Sequence, residues 1–557
     1  MIKKLQAVQY FIISVTFALY PFQVGAGLTE SAIQSLTVQI KEQKTKTIAG
    51  QPLLATDFII NFYTHRYYSP VWYNTNAERE LISELRLGIE NGFSPGDFHL
   101  NALQEVRAMA EQGNPSDIAQ YEVLASDAAA RLIKYSYFGK VDPAGLDQAW
   151  NFERPIIKSN PVQLLSEYLD GEGFSTLMRQ IEIKNKQYKQ LIDALARYKI
   201  IARNGGWPKI PDHEVIKPGM ISPTVSRLRD RLDAEGSLYL AKTLPKAPNI
   251  SIEPSQIYDI YLQNDIRAFQ ARHGLEADGV IGKRSFQALN RTAEHRVDQL
   301  KLSLERGRWL MRDLNEDYNE FLNLSSSVID FILVNIAGAR AYLVRADGTL
   351  WTTRSITGSQ YRKTPVFRDK IKYMEFNPTW TVPRSIFLKD KLAKIRQDPV
   401  YLERNNYVVK QSNGDLISPK LVNWSSPNPN VTLMQKPGPN NALGLVKFMF
   451  PNQYAVYLHD TNDKSLFNRN QRNLSSGCVR LEYPFELAML LMEDDPDWSF
   501  KRMQAILDSK KTTRINLLKP IPVLLTYWTS WVEENQVHFR EDIYDRDTDI
   551  LNALKNN

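Results

Sequence analysis

Two residues give the chain a chemical reading: His459, at the end of the run Tyr454-Ala455-Val456-Tyr457-Leu458, and Cys478, nineteen residues later in Ser475-Ser476-Gly477-Cys478-Val479-Arg480. A thiolate is a strong nucleophile. An imidazole within hydrogen-bond reach lowers the thiol pKa and takes its proton. Gly477 permits close backbone approach, and the amides around Gly477 and Cys478 can donate to the oxyanion of a tetrahedral intermediate. Arg480 adds positive charge that favours thiolate and can hold a substrate carboxylate bidentately. Cys478 is the only cysteine in the chain, which excludes a disulfide framework and any multi-cysteine metal site. Spacing alone leaves it three roles: inert and buried, an intermolecular link, or the nucleophile. No HExxH or His-rich cluster points to a metal, and no cofactor is expected.

The elements that must bring His459 and Cys478 together are β-rich. From about residue 327 the apolar pattern has period two, through Phe331, Leu333 and Ala341 to Val344. Asp347-Gly348 marks a hairpin turn, after which Trp351 to Ile356 pairs back. Further strands are expected at Val446–Phe450 and Tyr454–Leu458. Pro484 suits the first position of a helix running to Met492. His459 and Cys478 therefore flank one connection. Leu388 to about Gly444 is polar and proline-rich, and reads as a loop-rich insertion acting as a lid. Residues 28–215 are mainly helical. Leu81, Leu85 and Ile89 share one face, alanines line Tyr121–Tyr135, and Leu191–Arg203 forms another helix. They offer no chemistry: Asp142, Glu153 and Glu167 read as solvated acids. Pro211–Pro218 is a linker in composition. Residues 219–292 form a compact helical unit, stopped at Gly274 and turned at Asp278-Gly279. Lys283 is no phosphate-loop lysine, because GxxxxGK is absent. Ala293–Leu310, with Val297, Leu300 and Leu304 on one stripe, is expected to pack back on the N-terminal helices, with 293–325 returning to that scaffold. The fold class is α+β, multidomain.

The chain has 557 residues and a net charge of +7. Met1-Ile2-Lys3-Lys4, the apolar run Tyr10–Tyr20 and the small residues Val24-Gly25-Ala26 form the three-part pattern of a secretory signal over residues 1–26. The alternative is an uncleaved anchor, the only membrane contact foreseen. Removing 1–26 takes away two lysines and no acid, leaving +5. No dense basic tract favours nucleic acid. The mild charge suits an acidic polymer outside the cytoplasm.

Two stretches carry family resemblances. Phe269-Gln270 through Gly274-Leu275, Asp278-Gly279, Gly282 and Ala288-Leu289 resemble the peptidoglycan-binding type 1 repeat. His459-Asp460-Thr461 with Ser475-Ser476-Gly477-Cys478-Val479-Arg480 resembles the active-site motif of the L,D-transpeptidase (YkuD) catalytic domain. The commoner form of that motif has His where Ser476 stands. Lys363-Thr364-Pro365, Glu375-Phe376-Asn377-Pro378 with Trp380, and Gln435 through Gly444 also match. Over nearly its full length the chain is similar to the large periplasmic L,D-transpeptidases, with the catalytic domain over 327–545 and the insertion at about 388–444 as a capping subdomain.

The resemblance implies that Cys478 attacks a tetrapeptide stem of peptidoglycan and expels its terminal D-alanine. His459 handles the proton and the backbone carbonyl of Asp460 orients it. A second stem resolves the thioester as a 3→3 cross-link. Arg480, Ser475 and Ser476 would meet substrate. Tyr457 and Trp380 would wall the donor groove, unless they are ordinary core. It also implies acylation by carbapenems and other cell-wall synthases as partners. Water in place of the acceptor would make the same site an L,D-carboxypeptidase, and a different acceptor would make it a lipoprotein-linking or -unlinking enzyme. The reading from another class is a non-catalytic peptidoglycan-binding scaffold.

Overall fold

The computed structural model describes residues 23–147, 150–152, 160–211, 215–240, 254–311, 330–345 and 347–555. The basic start and apolar run of the expected signal segment, Glu153, and part of the 211–218 linker lie outside the described residues. Among the described residues no helix is long and apolar enough to cross a membrane. The described residues form two compact units, one of those within 23–89, 94–133 and 160–180, the other of those within 90–93, 134–152 and 181–555.

The first unit is helical. Asn76–Glu90 buries Leu81 and Leu85 as the i, i+4 spacing predicts. The helix expected at Tyr121–Tyr135 runs from Pro115 to Phe138. The acids that matter here were not legible in sequence. Glu122 is fully buried and accepts the Tyr63 hydroxyl at 2.8 Å and the amides of Val71, Trp72 and Tyr73 at 2.7–2.9 Å. Asp127, also buried, holds His99 at 2.9 Å, Arg131 at 2.6 Å and the amides of Leu54 and Ala55. Each carboxylate ties a loop to the long helix, because buried amides need partners.

The second unit contains the three-helix module, the barrel and its cap. Pro223–Glu235, Ile260–Arg272 and Lys283–Leu289 enclose a core of Val225, Leu228, Leu262, Ile266, Phe269 and Leu289. Gln270 organises the Asp278-Gly279 turn, accepting the Gly279 amide at 2.8 Å and donating to Asp278, Val280 and Ser285. The helix Ala293–Leu310 packs along Lys186–Arg203, and also against Ser530–Glu533 and the terminal helix Asp547–Lys555.

The C-terminal half is built on a nine-stranded sheet. In order its strands are Asn473–Ser475, Leu350–Gly358, Val479–Leu481, Leu458–His459, Val446–Met449, Phe367–Phe376, Thr513–Thr526, Phe331–Asn335 and Arg340–Val344. Leu350–Gly358 also pairs with Arg340–Val344, so eight strands close on themselves. Thr357-Gly358 ends the strand that begins at Leu350. Closure removes exposed edges and leaves one interior, filled by Ile332, Leu343, Phe376, Phe448, Leu458 and Val479.

The insertion is more ordered than its composition suggests. Trp380–Thr381, Thr432–Gln435, Tyr407–Lys410 and Leu416–Ile417 form their own sheet, over a core of Trp380, Phe387, Leu392, Leu402, Val409 and Leu433. It begins near Trp380 rather than Leu388. Strands of two to four residues are too short to show a period in sequence.

Candidate active site

Register decides what meets at the barrel's open face. Leu458–His459 runs parallel to Val479–Leu481, with Leu458 opposite Val479 and His459 opposite Arg480. Leu458 and Val479 are fully buried in the barrel. Alternation then sends Tyr457, His459, Cys478 and Arg480 to the other face. The strand expected from Tyr454 is shorter than its apolar run. Ala455 sits at φ +52, outside the extended region, so pairing begins only at Leu458. The same turn presents the Ala455 carbonyl to Cys478, whose Sγ lies 3.7 Å from it.

The thiol is half-buried. Burial raises its pKa, while the Tyr457 amide and hydroxyl, which donate to the sulfur, and the Arg480 charge oppose the rise. Burial also raises the Tyr457 phenol, and the Trp380 indole donates to that hydroxyl. Trp380 belongs to the cap core, so a chain of donors runs from cap to nucleophile. Of the two expected walls of the donor groove, Tyr457 thus acts on the thiol and Trp380 acts on Tyr457.

His459 is 4% exposed. Burial first, and then Arg480, lower its pKa to about 3, against the backbone carbonyls of Asp460 and Leu443. Its Nδ1 has no direct partner, and its ring lies 5.7 Å from that of Tyr457, centroid to centroid. At rest both thiol and imidazole are neutral. The groups that lower the thiol pKa are Tyr457 and Arg480, not the histidine anticipated from spacing.

The nucleophile loop is braced from behind. Gly477 adopts φ +119, which a side chain would disfavour. Its N–H donates to Ser475 Oγ at 3.1 Å, and Ser475 Oγ donates to the Cys478 carbonyl at 2.5 Å. This corrects two sequence expectations. Ser475 is buried and shapes the loop rather than meeting substrate, and the Gly477 amide is already engaged. No hydrogen bond among the described residues engages the Cys478 N–H, which leaves it as the loop's oxyanion donor. Thr364 Oγ1 donates to the Gly477 carbonyl at 2.8 Å and accepts the Gly358 amide at 2.9 Å. The Tyr544 hydroxyl accepts the Thr364 amide at 3.2 Å and donates to the Gly358 carbonyl at 2.6 Å.

Ser476 is exposed beside the thiol, and its Oγ accepts from Arg362 at 2.8 Å. Arg362 also forks onto Asp390 at 2.5 and 2.8 Å. Asp390 sits on a π-turn, Phe387–Lys391, in the cap. Arg362 and Asp390 therefore latch the cap to the nucleophile loop. The Asp460 carboxylate accepts the Leu445 amide at 2.9 Å and pairs with Lys464 at 2.6 Å. A Cβ on Gly444 would clash with the Asp460 side chain. Arg480 Nη1 donates to Thr461 Oγ1 at 3.4 Å, and its buried Nε has no partner. No described carboxylate pairs with it, which suits an arriving anion. Asn377 and Asn441, in the motifs of the resemblance, are backbone braces. Asn377 donates to the carbonyls of Ile506, Leu507 and Lys511, and Asn441 to those of Pro378 and Lys436. No cluster of His, Cys, Asp or Glu among the described residues could hold a metal ion.

Comparison with known proteins shows what the residues around this site are similar to. Residues 329–505 match the model of the L,D-transpeptidase catalytic domain. Residues 222–289 match a model described as "Putative peptidoglycan binding domain", and 57–195 one described as "Scaffold domain". The chain is 36% identical over 220 residues to a Haemophilus influenzae protein named "Putative L,D-transpeptidase". That match covers 39% of this chain and 45% of the relative, so the chain spans under half the length of the curated relative it matches. Among solved structures, an L,D-transpeptidase (residues 123–326) from Xylanimonas cellulosilytica is 14% identical, with 57% of this chain and 99% of that one covered and a TM-score of 0.18. A fused Zn-dependent amidase/peptidase/peptidoglycan-binding domain-containing protein from Clostridium acetobutylicum is 12% identical, with 56% and 99% covered and a TM-score of 0.14. At these TM-scores neither likeness bears on the site.

Proposed function

We propose that this chain is an exported cysteine L,D-transpeptidase that forms 3→3 cross-links in peptidoglycan, working in the periplasm. The observation that carries the reading is the placement of Tyr457, His459, Cys478 and Arg480 on one face of the matched catalytic domain, beneath a cap latched to the nucleophile loop.

A tetrapeptide donor stem enters under the cap, and the open Arg480 guanidinium takes a carboxylate. The stem displaces the Ala455 contact of the thiol. His459, neutral and so able to accept, removes the proton as Sγ attacks the amide carbonyl after the third residue. The C–S bond forms, the carbonyl π electrons move to oxygen, and the Cys478 N–H stabilises that oxyanion. Collapse breaks the C–N bond, and His459 returns the proton to the departing D-alanine amine. The side-chain amine of an acceptor stem then attacks the thioester, forming a new amide and regenerating the thiol. One amide is exchanged for another, so no ATP is consumed. A high resting thiol pKa fits this scheme: the proton moves in concert with attack, and the half-buried nucleophile stays protonated between turnovers.

The test is incubation of the purified chain with disaccharide-tetrapeptide and product analysis by mass. The expected product is a dimer lacking one D-alanine, absent with Cys478→Ala. Tripeptide monomer alone would replace this reading with a carboxypeptidase. Equal cross-linking by Cys478→Ala would refute it.

A further inference from the structure

We propose that the seam between the peptidoglycan-binding module and the catalytic barrel is a second ligand site, built for a carboxylate-bearing peptide stem that is held rather than cleaved. A cavity of about 500 Å³ opens there. Its walls come from separate stretches of the chain: Arg284 and Arg291 from the module, Arg296 from the helix that follows, Arg472 from the barrel, and Arg540 with Glu541 from the C-terminal segment.

Five arginines therefore face one carboxylate. Arg291 pairs with Glu541 at 3.2 Å. The other four have no ion-pair partner among the described residues. Arg472 rests on the carbonyls of Ser355, Arg469 and Ala339 at 3.0–3.3 Å, and Arg540 on those of Arg272 and Phe539 at 2.7 and 2.8 Å. Arg284 donates to Gln471 Oε1 at 3.2 Å. Arg296 donates to Gln299 and the Ala288 carbonyl, and its Nε is buried with no partner. Glu235, a buried acid whose charge acts on Arg296, is already held by Arg231 at 3.0 Å and Tyr198 at 2.7 Å. Burial lowers Arg472 and Arg540 to about 10, and neighbouring arginines add to the effect.

Crowded, partly buried guanidinium groups without counter-charges cost free energy. An incoming anion supplies what is missing. Guanidinium forks match carboxylates bidentately, and cavities of ~300–1,000 Å³ hold small molecules rather than single ions. A peptidoglycan stem containing diaminopimelate carries several carboxylates on one short peptide. The module that forms one wall matches a peptidoglycan-binding model. Asn473 lines the cavity, and its strand Asn473–Ser475 leads into the loop that carries Cys478. The assignment rests on the proposed substrate but not on the proposed chemistry.

The test uses the full chain carrying Cys478→Ala, titrated calorimetrically with the free-acid tetrapeptide stem. Arg284→Gln and Arg291→Gln are then added together. Both positions are exposed at the rim, and an unchanged melting temperature checks that the fold survives. The expected result is at least tenfold weaker stem binding in the rim variant, and similar weakening when the stem carboxylates are amidated. Equal affinity of the rim variant or of the amidated stem would overturn the site. Inorganic phosphate binding as tightly as the stem would overturn the stem in favour of a phosphate ligand. Separately, a wild-type chain that binds stems at the seam but never acylates Cys478 would refute the proposed activity and leave this site standing.

Discussion

Tyr457→Phe isolates the group that tunes the nucleophile. The ring and its packing remain, and only the hydroxyl donated to Cys478 Sγ is lost. A hydrogen bond to a charged group contributes about 1.5–3 kcal/mol. At 1.36 kcal/mol per unit, its loss raises the thiol pKa by about 1–2 units. Below that pKa the thiolate fraction, and with it the alkylation rate, falls by about 10- to 100-fold. The assay is iodoacetamide modification followed by intact mass across pH. The chain has one cysteine, so every added mass reports Cys478. The variant's profile should shift to higher pH and rejoin wild type on its alkaline plateau. An unchanged midpoint would show that Tyr457 does not hold the sulfur. A uniform drop at every pH would instead indicate altered access.

Other outcomes follow from the same geometry. Because His459 is held at about 3, the pH profile of Cys478 acylation by donor stem should show no inflection near 6.5; a limb there would mean an imidazole of ordinary basicity. Tyr544→Phe removes the bonds to Thr364 and Gly358 behind the nucleophile loop. About 1–1.5 kcal/mol of lost positioning should lower kcat some 5- to 13-fold with KM unchanged, and an unchanged kcat would deny the brace. Gly444→Ala, at φ +64 against the Asp460 carboxylate, should destabilise by about 2–5 kcal/mol in thermal melts; a wild-type melt would show that the loop yields freely. His273 and His459 are both buried with lowered pKa. Their unfolded forms bind protons below about pH 6.5 while the folded forms stay neutral, so stability should decline by up to about 3 kcal/mol per pH unit from there toward pH 4. Denaturation midpoints flat over that range would contradict it.

The residues of the proposed site were readable because their signals are local. A histidine after an apolar run, a lone cysteine beside glycine, and an arginine two residues on carry their meaning within a few positions. The peptidoglycan-binding module was readable for the same reason: Gln270 and the Asp278-Gly279 turn are close in sequence and bonded in space. What surrounds the thiol was not local. Trp380 and Tyr457 come together only when the cap sheet forms, and Thr364 and Gly477 meet from 113 residues apart. Composition made the cap look like loop, because its short strands pack on a small core of their own.

Residue type therefore determined that a thiol, an imidazole and a guanidinium were available, and the order in which the domains occur. Only the tertiary structure decided their states. Closure of the barrel buried the imidazole and thiol as neutral groups, since charge is costly away from water. The strand register then chose which amide stayed free for the oxyanion and which arginines were left without partners, because pairing between distant strands sets distances that no local pattern encodes.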